Sequence, residues 1–219
     1  MEDGTAVTLQ ANQDITVSNA ISVGSGGAAL TLQAGRSIDI NASITTNNGN
    51  LTLTANDTIA NGVVDAQRGS GNAAITMTTG TTINVGTGTL TATISDDTVK
   101  ANSATGDIQL FSVTAGALVV TNSGATSGSD IIDDNNNDEA FTISGVSTFT
   151  TTGDGEIALN NTSGHAFTGA VSLNTGTGNA AVVDTMASQS ALEIARCSTS
   201  ISTPADTDRI SAILNSSKS

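Results

Sequence analysis

One short pattern is written four times in the first half of this chain: AVTLQANQDI (6–15), ALTLQAGRSI (29–38), LTLTANDTI (51–59) and AITMTTGTTI (74–83). The leading apolar residues, Val7, Leu30, Leu51 and Ile75, lie 23, 21 and 24 positions apart. A period of roughly 20–25 residues built from short alternating strands is the mark of a parallel β-helix, with each repeat forming one rung of a solenoid. The chain is therefore expected to be all-β, a right-handed parallel β-helix.

The register inside each repeat sharpens this reading. Val7 and Leu9 are followed eight positions later by Ile15 and Val17, Leu30 and Leu32 by Ile38 and Ile40, Leu51 by Ile59, and Ile75 and Met77 by Ile83 and Val85. Period-two alternation puts each pair on one side of a strand, aliphatic inward and polar outward. Further apolar residues at Ile21 and Val23, at Ile44, near Val63 and Val64, and at Leu90 supply a third strand, so the coil should be triangular. Ile15, Leu32, Ile38, Leu53, Ile59 and Ile83 are predicted to be buried in stacked columns.

The corners have their own chemistry. Asn12, Gly35, Asn56 and Gly80 form one corner column, and both residue types tolerate left-handed backbone angles. Asp14, Ser37, Thr58 and Thr82 close that corner with short side chains able to bond the bending backbone. A longer third corner reads GSGG (24–27), NNGN (47–50) and GSGN (69–72), where loop variation should concentrate. With no Trp or Tyr and only Phe111, Phe141, Phe149 and Phe167, the core is expected to be slim, without room for large rings.

The pattern blurs after Leu90. It resumes at Ile108 and Leu110, then at Leu118 to Val120, and echoes in GEIALNNT (155–162) and GAVSLNTG (169–176). Between these regions SGSDIIDDNNNDEAF (127–141) reads as a projecting acidic loop, because Asp and Asn runs oppose strand formation. Residues 5–183 are thus assigned to the β-helix and 184–219 to an atypical tail. There MASQSALEIARCS, and ADTDRISAILNSS opened by Thr203-Pro204, have helical spacing and are expected to form a short α-helical cap.

A formal charge of −14 repels phosphate backbones and anionic headgroups, which argues against nucleic acid and membrane surfaces as partners. Cys197 is the sole cysteine, so no intrachain disulfide staples the fold. No apolar run reaches membrane-spanning length, and MEDGTAV lacks the basic and apolar regions of a secretory signal. A rod meant for export should carry an address. The expectation is that Met1 opens a truncated frame, an engineered segment or an internal piece of something longer.

The stretch AVTLQANQDITVSNAISVGSGGAALTLQAGRSIDINASITTNNGNLTLTANDTI resembles bacterial exoproteins of the filamentous-haemagglutinin type, including the passenger rods of two-partner secretion and autotransporter systems. The likeness covers residues 5–95 well and 105–183 more weakly. It implies an extracellular or outer-membrane surface location, export of the full-length protein through an outer-membrane transporter, and adhesion to a host-cell, bacterial-cell or matrix receptor. The chain departs from that pattern: it has no amino-terminal secretion module and ends in SSKS rather than in barrel strands. No family binding residue can be carried over.

Candidate sites are few. Asp130, Asp133, Asp134, Asp138 and Glu139 offer oxygen ligands suited to Ca²⁺. Yet an EF-hand loop begun at Asp134 would place Glu139 where Gly is required, so a solvated loop is the reading adopted, with no resident metal or cofactor. A polysaccharide-active β-helix enzyme would need clustered carboxylates. Only Asp96, Asp97 and His165 suggest one, and His165 in SGHAF is expected at the surface, so no catalytic residue is assigned. A third class is an ice-binding solenoid that uses outward Thr8, Thr31, Thr52 and Thr76 beside Gln10, Gln33, Thr54 and Thr78. The function expected from all this is a structural or adhesive rod presenting loops at 24–27, 47–50 and 127–141.

Overall fold

A computed structural model of the chain describes residues 4–24, 26–57, 63–95, 105–124, 128–133, 139–160, 164–184, 192–196 and 210–214. The described residues form a parallel β-helix of three sheets, each stacked in chain order. Sheet A comprises Val7–Ala11, Leu30–Ala34, Leu51–Ala55, Thr89–Ile94, Ala117–Asn122, Ser147–Thr151, Val171–Thr175 and Leu192–Arg196. Sheet B comprises Ile15–Val17, Ile38–Ile40, Ala73–Met77, Thr105–Gln109, Ile131–Ile132, Ile157–Leu159, Ala180–Asp184 and Ile210–Leu214. Sheet C comprises Ile21–Ser22, Ile44–Thr45, Thr82–Asn84, Ser112–Ala115, Phe141–Ile143 and Ala166–Phe167. One strand from each sheet makes each of the first six rungs, and the last two rungs have described strands on sheets A and B.

Strands this short cannot bury a core alone; they do so only by stacking. The clearest column runs up sheet B, where Ile15, Ile38, Ile75, Ile108, Ile131 and Ile157 follow one another in register. The five from Ile38 onward are at most 1 % exposed, and each buried isoleucine contributes about 1.5–3 kcal/mol. Of the residues predicted to be buried, Leu32, Ile38, Leu53 and Ile83 are fully so. Ile15 packs against the core from the first rung and stays half-covered, and Ile59 lies outside the described residues.

The repeat phase holds for two rungs and then changes. Leu51 stacks on Leu90, and Ile75 stacks on Ile38, so AITMTTGTTI spans sheets B and C where the pattern placed it on A and B. The physical reason is an insertion. Between Leu51–Ala55 on sheet A and Ala73–Met77 on sheet B, the described residues 63–72 form an excursion with a short 3-10 turn at Asp65–Gln67. Val63 and Val64 belong to this excursion rather than to a third strand. The later echo is likewise split, with Ile157–Leu159 on sheet B and Val171–Thr175 on sheet A.

Corner chemistry also differs from expectation. The turn from sheet C to sheet A is the tight one. A Cβ on Gly88, Gly116, Gly145 or Gly169 would come within 2.5 Å of a carbonyl oxygen in the rung before it, so close backbone approach selects glycine there. Longer connections instead fall between sheets A and B. Asn56 and Gly80 have left-handed φ of 50° and 82°, whereas Gly35 is needed because a Cβ would meet the Asn12 carbonyl oxygen at 2.3 Å. Gly80 and Thr82 sit at the turn from sheet B to sheet C, and Thr58 is outside the described residues.

Two further expectations are corrected. The core does admit rings: Phe141, Phe149 and Phe167 are fully buried and pack on one another with centroids 6.1–6.4 Å apart. In their columns Phe167 follows Ile143, Phe141 follows Val113 and Phe149 follows Val120. The tail forms no helix at its described residues. Leu192–Arg196 and Ile210–Leu214 are strands that extend sheets A and B, since short apolar runs satisfy either period and an open sheet edge supplies backbone partners. Leu53→Ala should cost about 2–5 kcal/mol as a cavity, and Gly116→Ala should also lower the melting temperature. Thermal unfolding followed by circular dichroism checks both; an unchanged transition for Gly116→Ala would contradict the tight-corner geometry.

Candidate functional site

The polar corner residues bond between rungs. A side-chain oxygen in one rung accepts a backbone N–H of the next: Asp14 from Ser37 (3.0 Å), Ser37 from Ala74 (3.1 Å), Ser43 from Thr82 (3.0 Å), and Asn50 from Thr89 (2.9 Å). Asp107 accepts from Asp130 (3.0 Å), and Asp130 in turn accepts from Glu156 (2.8 Å). These bonds satisfy donors that the bending chain would otherwise leave open. The corner 47–50 is thereby committed to holding rungs together: Asn48 accepts from the Thr87 N–H at 3.0 Å, and Thr46 donates to Gly49.

The acidic stretch is not one loop. Ile131–Ile132 is a rung of sheet B, with Asp130 at the corner before it. Asp133 continues the strand's inward phase and is buried, while Glu139 is buried and accepts the Gly80 N–H. The structure thus sends Asp130, Asp133 and Glu139 to three separate tasks; Asp134 and Asp138 lie outside the described residues. Among the described residues no three His, Cys, Asp or Glu side chains converge on a point that could hold a metal ion.

His165 is a core residue, not a surface one. Its ring is fully buried, stacks on Phe141 at 4.4 Å between centroids, and meets Phe167 at 5.6 Å. Phe141 donates its N–H to Nδ1 (3.1 Å), so the ring hydrogen sits on Nε2 and points at Asp133 Oδ2, also 3.1 Å away. The signal available in sequence was the apolar phase: Ala166 pairs with Thr142, which aligns His165 with the inward Phe141. A His–Asp pair is two members of a nucleophile relay. With side chains 0 % and 2 % exposed, neither can touch a substrate in this conformation. Asp96 and Asp97 are outside the described residues.

The excursion in the third rung folds back over the first two. Val64 donates its N–H to Asn12 (2.7 Å), Asn12 donates to Gln67 (2.7 Å), Arg36 donates to the Ser70 carbonyl (2.8 Å), and Arg68 donates to that of Gly35 (3.1 Å). Arg36 also clamps Asp14 through two nitrogens. The guanidinium holds the Asp14 carboxyl below its ordinary range, and Asp14 raises Arg36 in return.

Sheet A presents a different surface. Its outward residues stack as Thr8, Thr31, Thr52, Thr91, Val119, Thr148 and Ser172, beside Gln10, Gln33, Thr54, Thr93, Thr121, Thr150 and Asn174. None of these carries a charge, in a chain of net charge −14. Thr76 and Thr78 do not belong to this face; they lie on sheet B and bond Asp39 (3.0 Å) and Asn41 (2.6 Å). Thr91 and Thr93 take their place.

Two outcomes follow. Removing one member of the buried pair, as in His165→Ala or Asp133→Ala, should destabilise by about 3–5 kcal/mol, whereas His165→Phe with Asp133→Leu should restore most of the loss; denaturant titration of the three variants checks this. Burial, then the neighbouring Asp130 charge, raises the Asp107 carboxyl above its ordinary value, against the bond from the Asp130 N–H. A raised folded pKa contributes stability present below the unfolded value of 3.8 and lost as pH rises through the folded one. Asp107→Asn should therefore raise the melting temperature at neutral pH and leave it unraised below pH 3.8. Melting across that range reads the crossover.

No family model matches the chain, and the searches of curated proteins and of solved structures also returned no match.

Proposed function

We propose that the chain is a structural and adhesive rod segment of a large bacterial surface or secreted exoprotein of the filamentous-haemagglutinin type. The observation that carries this reading is the uncharged wall of sheet A, which stacks in register through seven successive rungs of a chain of net charge −14. A stiff rod with one neutral side can lie against another surface without the charge repulsion that a net −14 would impose. The receptor is a host-cell, bacterial-cell or matrix component. The sheet A wall and the excursion at 63–72, with exposed Val64, make better contacts than the corners 24–27 and 47–50. Rung-by-rung stacking without a disulfide suits a chain threaded unfolded through an outer-membrane transporter and folded outside. The rod acts by geometry and not by catalysis.

One feature favours a second reading. Threonine fills the same column in four successive rungs twice over, at Thr8 to Thr91 and at Thr54 to Thr150. Rungs about 4.8 Å apart repeat hydroxyl and methyl groups on a flat lattice, which is the surface an ice-binding solenoid needs. A single experiment separates the readings. The protein, displayed on a non-adherent bacterium, should promote attachment to cells or extracellular matrix, and Thr91→Lys with Thr93→Lys should abolish it at unchanged display. Loss of thermal hysteresis in the same variant, with no attachment by the parent, would favour ice. Neither activity in the parent would reject both contact functions and leave a spacer.

A further inference from the structure

The sheet A wall has a third outward column. Just before each strand's first inward residue stands another outward one, from Ala6 in the first rung to Ala170 in the seventh. Like the other two columns, it carries no charge. The column where the strands enter the wall is small where the column at their exit is long: Ala6 shares its strand with Gln10, Ala29 with Gln33, Ala117 with Thr121, and Ala170 with Asn174. In the two rungs between, Asn50 and Thr89 share theirs with Thr54 and Thr93, which are of similar size. Gln10 donates to Gln33 at 2.8 Å, which ties the exit column together.

Two such walls can meet face to face about two different axes. An axis along the rod sets every rung against its own copy with strand direction reversed, so the entry column meets the exit column. The alanines then face Gln10, Gln33, Thr121 and Asn174, small against long, and the central column meets itself, Val119 on Val119. An axis along the strands instead sets Ala6 opposite Ala170 and Gln10 opposite Asn174, leaving a gap on one flank and crowding on the other. Contact through sheet A keeps Asp39 and Asp107 of sheet B out of the interface, so it is the approach least opposed by a net charge of −14. Sheet C is neutral at Ser22, Thr45, Asn84, Thr114 and Thr142, but its strands have only two to four residues. Strands of five or six residues make the sheet A face about 17 Å wide and, over seven rungs, about 34 Å tall; a pair would bury about 1,100 Å², above the roughly 1,000 Å² a specific contact needs.

We infer that two copies of this chain pair side by side through sheet A, parallel to each other, about a two-fold axis along the rod. The contact is isologous, so it closes at two. Val119, and Val146 at 59 % exposure, supply its apolar groups, and threonine, glutamine and asparagine surround them, which is the charge-depleted composition of a contact core. The inference rests on the reading of sheet A as the contact wall and gives that wall a second copy as its partner.

The test uses the 219-residue chain in a Cys197→Ser background. Sedimentation should show a monomer–dimer equilibrium with no larger species. Thr52→Lys sets two like charges against each other in the central column and should leave monomers with an unchanged β-sheet circular dichroism spectrum, while Thr16→Lys on sheet B should pair like the parent. Ala29→Gln should weaken pairing about tenfold, and adding Gln33→Ala should recover most of the loss. A short bis-maleimide should link Thr31→Cys molecules to one another and Ser172→Cys molecules to one another. A monomeric parent at every concentration would overturn the inference, as would a Thr52→Lys variant that pairs like the parent. Links formed only in a mixture of the two cysteine variants would overturn the parallel arrangement. Attachment of the displayed protein is scored separately: attachment by a parent that stays monomeric rejects the pairing and keeps the adhesive reading, and pairing without attachment does the reverse.

Discussion

Stacking of like on like carries this molecule. A rung here is three strands of two to six residues, too short to bury a side chain without another rung above or below. The isoleucine column from Ile38 to Ile157 shows the consequence. Each methyl group is covered because the same residue type recurs at the same phase, and backbone bonds between parallel neighbours keep the phase from slipping. Stability is then a sum over neighbouring rungs, not a property of one central core. The exposure of Leu9 against the full burial of Leu32 is the same principle seen where the stack ends.

Polar residues work around that stack in two ways. At the corners, Asp14, Ser37, Asn50, Asp107 and Asp130 receive N–H donors from the next rung, so residues that look like a solvated surface are part of the framework. Inside, His165 and Asp133 interrupt the apolar columns together and answer each other's hydrogen-bonding needs beside the phenylalanine cluster. Such a pair is weak evidence for stability because both groups are desolvated. Its effect is to make one alignment of the fifth and sixth rungs better than any shifted one, since a slip would leave a buried polar group unmet.

The walls divide the remaining surface by charge. Acidic residues gather at corners and on sheet B, where Asp39 bonds Thr76, while the outward columns of the first seven strands of sheet A show threonine, glutamine and other neutral residues. Insertions leave the coil mostly between sheets A and B, because the glycine-lined turn into sheet A has no space for them. The excursion that carries Arg68 therefore lies against the first two rungs at that corner.

The parallel β-helix, its three walls and the columns of the first two rungs were legible in the sequence, because period-two alternation recurring about every 20–25 residues is a local signal that chain order preserves. What sequence could not decide was phase after an interruption. Ile75 has the same local pattern as Leu51, and only the excursion before it moves Ile75 onto Ile38 and Leu90 onto Leu51. His165 looked exposed because its turn is polar and its partner, Asp133, lies 32 residues away. The apparent helices at 192–196 and 210–214 became strands for a related reason. Four or five residues satisfy either period, and the choice belongs to the sheet edge they meet, which the local sequence does not contain.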